Sequence, residues 1–229
     1  MTMNMTTLYI VSTPIGNYDD ITLRAVNVLK AADFIICEEF KEAARLLSHL
    51  QIKKELHSLN EHHEEESSRE IIKLIAAGKT AALISDCGTP LFSDPGTMLV
   101  QMCIDANINV VPVPGASSLL PALTGSGFTL DSFYYAGWLS PKADIRKKEL
   151  LRLKSIKELI VIMETPYRLT AILTDVKKIF GESTQICIAF NLTLPSEKFY
   201  RGTVEEVFQI VQSQKLKGEF VLLVNNSRS

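Results

Sequence analysis

The chain has 229 residues, 46% of them hydrophobic, with 24 Lys and Arg against 26 Asp and Glu and a formal net charge of -2. That is material for one large domain or two small ones, without the basic excess of a strong nucleic-acid binder, so any contact with RNA must come from local patches. No apolar run is long enough to span a membrane, Met1 to Thr7 lacks the basic-then-apolar pattern of a secretory signal, and Cys37, Cys87, Cys103 and Cys187 form no CxxC pair, which reads as a reduced, cytoplasmic protein without disulfides, zinc or another metal.

Leu8 to Val11 is a short β-prone run that leads at once into Ser12-Thr13-Pro14-Ile15-Gly16-Asn17. A first strand of this kind lies inside a parallel sheet. The loop is neither a GxGxxG fingerprint nor a P-loop, which disfavours nucleotide binding by those routes. Leu23, Val26, Val28 and Leu29 then predict a helix capped by Asp20 or Thr22. Ala32 to Cys37 reads as a buried strand running into Glu38-Glu39-Phe40-Lys41, and residues 42–50 as a helix. Carboxylates at a strand end are candidates for acid–base work, or they cap the next helix or face solvent. Leu56 to Ser68 holds His57, His62 and His63 beside Glu61, Glu64, Glu65 and Glu66. It lacks the spacing of a metal motif and reads as a solvated loop or helix start. A helix over 70–77 follows, stopped by Gly78.

The most distinctive stretch runs from Leu83 to Gly96. The apolar run from Thr80 to Ile84 predicts a buried strand, and Met98, Leu99, Met102 and Cys103 predict a helix beyond. Between them lies a loop stiffened by Gly88, Pro90, Pro95 and Gly96, which exposes backbone N–H and C=O groups. Strand, rigid polar loop, helix is the arrangement that holds ligands at strand ends in open α/β sheets; the alternative is a plain connection. Val110 to Val113 predicts a strand kept at a sheet edge by Pro112. Pro114-Gly115 turns the chain, and Ser117 or Ser118 caps a helix over 119–125 or offers its start to a polar ligand group. Strands alternate with helices up to this point, as in a parallel sheet. Beyond residue 127 strand follows strand more often, which predicts a mixed sheet: strands at 133–138, 159–163, 185–190, 197–202 and 219–225, and helices at 144–157, 166–180 and 204–214. The expected domains are 1–114 and 115–229, with the boundary between Pro114 and Pro121. Arg146, Lys147, Lys148, Arg152, Lys154 and Lys157 make the helix after Trp138 the candidate footprint for a phosphate backbone, or an ordinary exposed helix.

Five blocks then carry a resemblance. They are Thr13-Pro14-Ile15-Gly16-Asn17, with Asp20 to Ala25 behind it; Ser85-Asp86-Cys87-Gly88-Thr89-Pro90 with Ser93-Asp94-Pro95-Gly96; Pro112 to Ser118; Glu164-Thr165-Pro166-Tyr167-Arg168; and Leu192-Thr193. In this order, over nearly the whole chain, they resemble the ribosomal small-subunit RNA cytidine 2′-O-methyltransferase family of the tetrapyrrole-methylase superfamily. The resemblance implies two α/β domains of tetrapyrrole-methylase type, S-adenosyl-L-methionine in the cleft between them, and a homodimer. By position it implies cofactor contacts from Pro14, Ile15, Gly16, Asp86, Gly88, Thr89, Pro90 and Phe92, completed by Ser117, Ser118, Met163, Leu192 and Thr193. Glu38, Glu39 and Glu164 are the candidate bases, and Lys41 and Arg168 the candidates to orient substrate phosphate.

The chain departs from that pattern on the side expected to face the methyl acceptor. Glu38-Glu39-Phe40-Lys41 stands where the family carries an acidic residue followed by Asp-Thr-Arg. Tyr167 replaces a His, Phe190-Asn191 replaces an Arg-Glu pair, and the family's C-terminal helical extension does not follow before Ser229. The expected activity is methylation of a cytidine 2′-hydroxyl in small-subunit ribosomal RNA. The alternatives are a small-molecule, tetrapyrrole-like methylase and an S-adenosylmethionine-binding protein without transfer activity.

Overall fold

A computed structural model describes residues 6–60, 63–92 and 94–227. Glu61, His62 and Ser93, the first five residues and the last two lie outside the described residues. The chain divides into two compact units, between Ser117 and Ser118.

The first unit is a five-stranded parallel sheet. Its strands are β1 (Thr7–Val11), β2 (Phe34–Cys37), β3 (Glu55–Ser58), β4 (Ala81–Ile84) and β5 (Asn109–Val113), in the order β3-β2-β4-β1-β5. Phe34-Ile35-Ile36-Cys37 and Ala81-Ala82-Leu83-Ile84 are buried at every position, because both faces of the sheet are covered. Helices α1 (Leu23–Ala31) and α2 (Phe40–His49) put Leu29, Ala43 and Leu47 against Val11, Ile35 and Ile84 on one face. Helices α3 (Glu64–Ala76) and α4 (Thr97–Asp105) put Ile71, Ile75, Leu99 and Cys103 against Leu8, Phe34 and Leu83 on the other.

Thr22, rather than Asp20, caps α1: its hydroxyl accepts from Ala25 N–H at 3.1 Å. Strand β3 corrects the expectation of a loop or helix start over its residues. Glu-Leu-His-Ser carries no apolar run, and its strand state comes from pairing with β2, from Phe34 with Glu55 to Cys37 with Ser58. Glu64 corrects another. It does not simply face water: its carboxylate accepts from Gly96 N–H at 2.8 Å and Met98 N–H at 3.0 Å, capping α4 from α3. Strand β5 is an edge strand, as Pro112 predicts. Asn109 N–H and Val113 C=O both bond toward β1, so alternation turns the Pro112 nitrogen outward.

The second unit is a mixed five-stranded sheet. Strands β6 (Phe133–Trp138), β7 (Leu159–Glu164), β8 (Gln185–Phe190), β9 (Lys198–Thr203) and β10 (Phe220–Asn225) lie in the order β6-β7-β10-β8-β9, with only β6 and β7 parallel. Helices α6 (Ala143–Lys154), α7 (Leu169–Phe180) and α8 (Val204–Gln214) cover one face through Leu150, Ile172, Val176 and Val207. Helix α5 (Leu119–Ser126) packs on β8, β9 and β10. Arg146 on α6 corrects the expectation that the whole basic run faces solvent. It is 6% exposed, and its guanidinium grips Asp175 of α7 at 2.8 and 2.9 Å. Lys154 is used locally as well, bonded to Ile179 C=O at the end of α7. Lys147, Lys148 and Arg152 are exposed on the same helix.

No helix among the described residues is long and apolar enough to cross a membrane. Among them no three His, Cys, Asp or Glu side chains are placed to share a metal ion.

Candidate active site

Strands β1 and β4 are neighbours, and the chain leaves them toward opposite faces, to α1 from β1 and to α4 from β4. Such a switch point opens a crevice at the carboxyl ends of the strands, where open α/β sheets bind ligands. The two loops are joined there. Thr13 N–H donates to Gly88 C=O at 2.8 Å, and Gly88 N–H returns a bond to Thr13 C=O at 3.1 Å. Thr13 Oγ1 donates to Ser85 C=O at 3.0 Å. Thr89 Oγ1 lies 3.2 Å from Ala116 C=O and 3.0 Å from Ser12 Oγ. With one hydroxyl proton given to the carbonyl, Thr89 must accept from Ser12. The loops after β1, β4 and β5 are thus stitched into one platform.

The platform needs its glycines. Gly88 sits at φ +82°, and a Cβ there would stand 3.2 Å from Ile15 Cγ2. A Cβ on Gly115 would come within 2.9 Å of Ser12 Cβ. Leu91, just beyond Pro90, holds φ +73°, a conformation unfavourable for a side chain of its size.

Beside the platform, at the ends of β2 and β4, lies a group of acids. Glu39 N–H donates to Asp86 Oδ1 at 3.3 Å, which ties the β2–α2 turn to the β4 loop. Loss of hydration raises the pKa of Asp86 from its ordinary value, against the hydrogen bond from Glu39 N–H, and the charges of Glu39, Asp94 and Glu42 push it up further. Burial raises Asp94 too, against a hydrogen bond from Ser85. Burial pushes the Cys37 thiol up to about 12, with help from Asp86 and Glu39. Lys41 is exposed in the first turn of α2.

In the second unit, Met163 and Glu164 end β7, and Glu164 is 1% exposed. Its Oε1 accepts from Thr165 N–H at 2.7 Å and from Arg168 Nε at 2.6 Å. Arg168 also donates to Leu139 C=O at 3.2 Å. One oxygen of Glu164 and one terminal nitrogen of Arg168 are buried without a partner among the described residues. Leu192 and Thr193 lie in the turn after β8, where Asn191 and Thr193 hold φ +47° and +67°. For β-branched Thr193 that is a strained backbone. Thr193 N–H is held by Glu197 at 2.6 Å. Ser118 starts α5 without a side-chain capping bond.

Each unit thus gathers its own share of the sequence candidates. Pro14, Ile15, Gly16, Glu38, Glu39, Lys41, Asp86, Gly88, Thr89, Pro90, Phe92 and Ser117 belong to the first unit. Ser118, Met163, Glu164, Arg168, Leu192 and Thr193 belong to the second. Sequence reasoning missed the raised pKa of Asp94 and the turn-locking bond of Asp86. The signal for both was Ser85, Asp86 and Asp94 clustered around one glycine-rich turn.

Residues 7–207 match the family model described as tetrapyrrole (corrin/porphyrin) methylases. A protein of Synechocystis sp. named ribosomal RNA small subunit methyltransferase I is 40% identical over 217 residues, 95% of this chain and 78% of its own length. A protein of the same name from Bacillus subtilis is 38% identical over 99% of this chain and 77% of its own. Among solved structures, a cobalt precorrin-4 methyltransferase of cobalamin biosynthesis superposes with a TM-score of 0.70 at 17% identity, over 96% of this chain and 94% of that one. The uroporphyrin-III C-methyltransferase of Thermus thermophilus complexed with S-adenosylhomocysteine gives 0.64 at 18% identity, over 95% and 96%. The chain therefore belongs to the tetrapyrrole (corrin/porphyrin) methylase family, beside the members named ribosomal RNA small subunit methyltransferase I.

Proposed function

We propose that the protein is an S-adenosylmethionine-dependent methyltransferase of small-subunit ribosomal RNA, acting on a cytidine 2′-hydroxyl. The observation that carries this reading is identity near 40% across almost the whole chain to relatives named ribosomal RNA small subunit methyltransferase I. The platform's chemistry suits the donor. Backbone groups and the Thr89 hydroxyl offer fixed polar contacts, Ile15 and Pro14 offer apolar surface, and Asp86, Asp94, Glu38 and Glu39 favour a cation at the same edge. Bound S-adenosylmethionine supplies a methyl group on a positively charged sulfur. The platform's task is to hold that group in line with the acceptor oxygen, which is where most of the rate enhancement of such a displacement arises.

Gly16, Gly88, Thr89, Pro90, Phe92, Ser117 and Ser118 are assigned to the donor; Met163, Leu192 and Thr193 are assigned to it by sequence resemblance. Glu39, with its backbone fixed by Asp86, is the favoured base for the hydroxyl proton, with Glu38 beside it. Glu164 is engaged by Arg168 and acts instead as a positioning residue for that guanidinium. Lys41 and Arg168 orient substrate phosphate. A ribosomal substrate places the protein in the cytoplasm, and a homodimer is its expected assembly.

The test is transfer of radiolabelled methyl to small ribosomal subunits, stripped RNA and a porphyrin precursor. Label is expected in the small subunit, at one cytidine whose 3′ linkage then resists alkali. Label in the porphyrin precursor alone would overturn the reading.

A further inference from the structure

The second unit has a groove of about 590 Å³ between the start of α7 and the end of α8, apart from the residues assigned to the methyl donor. We propose that this groove binds an unpaired stretch of RNA, stacking a base on Tyr167 and holding phosphates with Lys215 and Lys217. The proposal rests on the reading of ribosomal RNA as the acceptor and names a surface by which that RNA is held.

Tyr167 is 84% exposed, the extreme among the described aromatic residues. It sits on a short 3-10 turn, Pro166–Arg168, whose ends are fixed by the proline ring and by the Arg168–Glu164 ion pair. The ring is therefore presented on a stiff support with its surface open. Lys217 Nζ stands over one face of the ring, 5.4 Å from its centroid, so a base stacks on the other face or displaces that ammonium toward the phosphate. Lys215 ends α8 in a left-handed conformation, φ +49°, which turns the chain so that Lys215, Leu216 and Lys217 all line the groove. Thr170 and Gln212 add hydrogen-bonding groups, and among the described residues no carboxylate lines it.

An open aromatic face flanked by cations is the chemistry of single-strand recognition, since every base has a stackable face and every linkage a phosphate. A duplex would hide its bases from Tyr167. The distribution of charge agrees. Residues 118–229 carry 15 Lys and Arg against 11 Asp and Glu, whereas residues 1–117 carry 9 against 15. The net charge of -2 hides an acidic first unit and a basic second one, and the groove lies in the basic unit.

The experiment compares the full chain with Tyr167→Ala, Tyr167→Phe and the pair Lys215→Gln with Lys217→Gln. All three positions are exposed, so folding is not at stake. Anisotropy of a labelled unstructured oligoribonucleotide and of a small-subunit RNA fragment gives binding as a function of salt. Calorimetry gives the affinity for S-adenosylmethionine, and methyl transfer gives kcat and KM. Tyr167→Ala is expected to weaken RNA binding by about 10-fold or more, and Tyr167→Phe to restore it. The lysine pair is expected to weaken binding and to lower the slope of log K against log salt by about 1 to 2. For both, the loss falls on KM for RNA and the affinity for the donor is unchanged. Unchanged RNA affinity and salt slope in the variants, with binding by the parent intact, would overturn the groove alone. A parent chain that binds the oligonucleotide through these residues yet methylates no ribosomal RNA would overturn the functional reading and leave the groove. A parent chain that binds neither RNA would overturn the groove, and the functional reading with it if the small subunit also takes no label.

Discussion

At the scale of single residues, Asp86 connects folding to chemistry. Its carboxylate accepts the Glu39 N–H, and its pKa is raised by loss of hydration and by three neighbouring acids. The folded protein therefore holds the Asp86 proton more tightly than the unfolded chain does. The resulting stabilisation is complete below the unfolded value, near 4, and is lost as pH rises through the folded value. Asp86→Asn keeps the acceptor oxygen and removes the charge. Its melting temperature should exceed the parent's at pH 7 and match it near pH 3. Methyl transfer should fall, because the edge loses a charge that favours a cationic donor. A lower melting temperature at pH 7 would show that the carboxylate stabilises the fold instead. Glu64 teaches the complementary lesson. Within a run of acids it looks like a solvated charge, and only the approach of Gly96 and Met98 shows what it holds.

At the scale of elements, the site is a contact between three turns, and the turns are only partly legible before folding. The glycines and prolines of residues 12–17, 85–96 and 112–118 announce rigid connections at strand ends. They do not announce that Thr13 pairs with Gly88 or that Thr89 reaches Ala116, because those contacts span 75 and 27 residues of sequence. Gly115→Ala tests the joint. Gly115 is exposed, but its Cβ would stand 2.9 Å from the Cβ of buried Ser12 and 3.2 Å from the Ser12 carbonyl oxygen, so the loops must shift apart. The expected cost is about 1–3 kcal/mol in urea unfolding, with a weaker calorimetric affinity for S-adenosylmethionine. Unaltered stability and affinity would mean that the two turns are not held together in solution. Strand β3 was illegible for a related reason. Four polar-leaning residues on a sheet edge carry no period, and the pairing with β2 alone makes them a strand. The basic helix was half legible. Its charge count is plain in the sequence, whereas the use of Arg146 as a buried clamp on Asp175 depends on how α6 meets α7.

At the scale of the whole molecule, the near-neutral total conceals opposite charges on the two units, -6 over residues 1–117 and +4 over residues 118–229. An acidic unit favours a cationic donor, and a basic one favours a polyanionic acceptor. The exposed Lys147, Lys148 and Arg152 of α6 contribute to that field without belonging to the groove beside Tyr167. Replacing all three by Gln should slow association with ribosomal RNA several-fold at low salt and leave dissociation nearly unchanged. At about 0.5 M salt, where screening acts over a few ångströms, the difference should vanish in stopped-flow mixing. A change confined to the dissociation rate would instead make these side chains direct contacts.

The outward nitrogen of Pro112 has a consequence for self-association. A foreign strand laid along the free side of β5 would find a donor at Val110 and none at Pro112, the fourth of its five residues, so the ladder is interrupted there. Edge-to-edge extension of the sheet is disfavoured on this border.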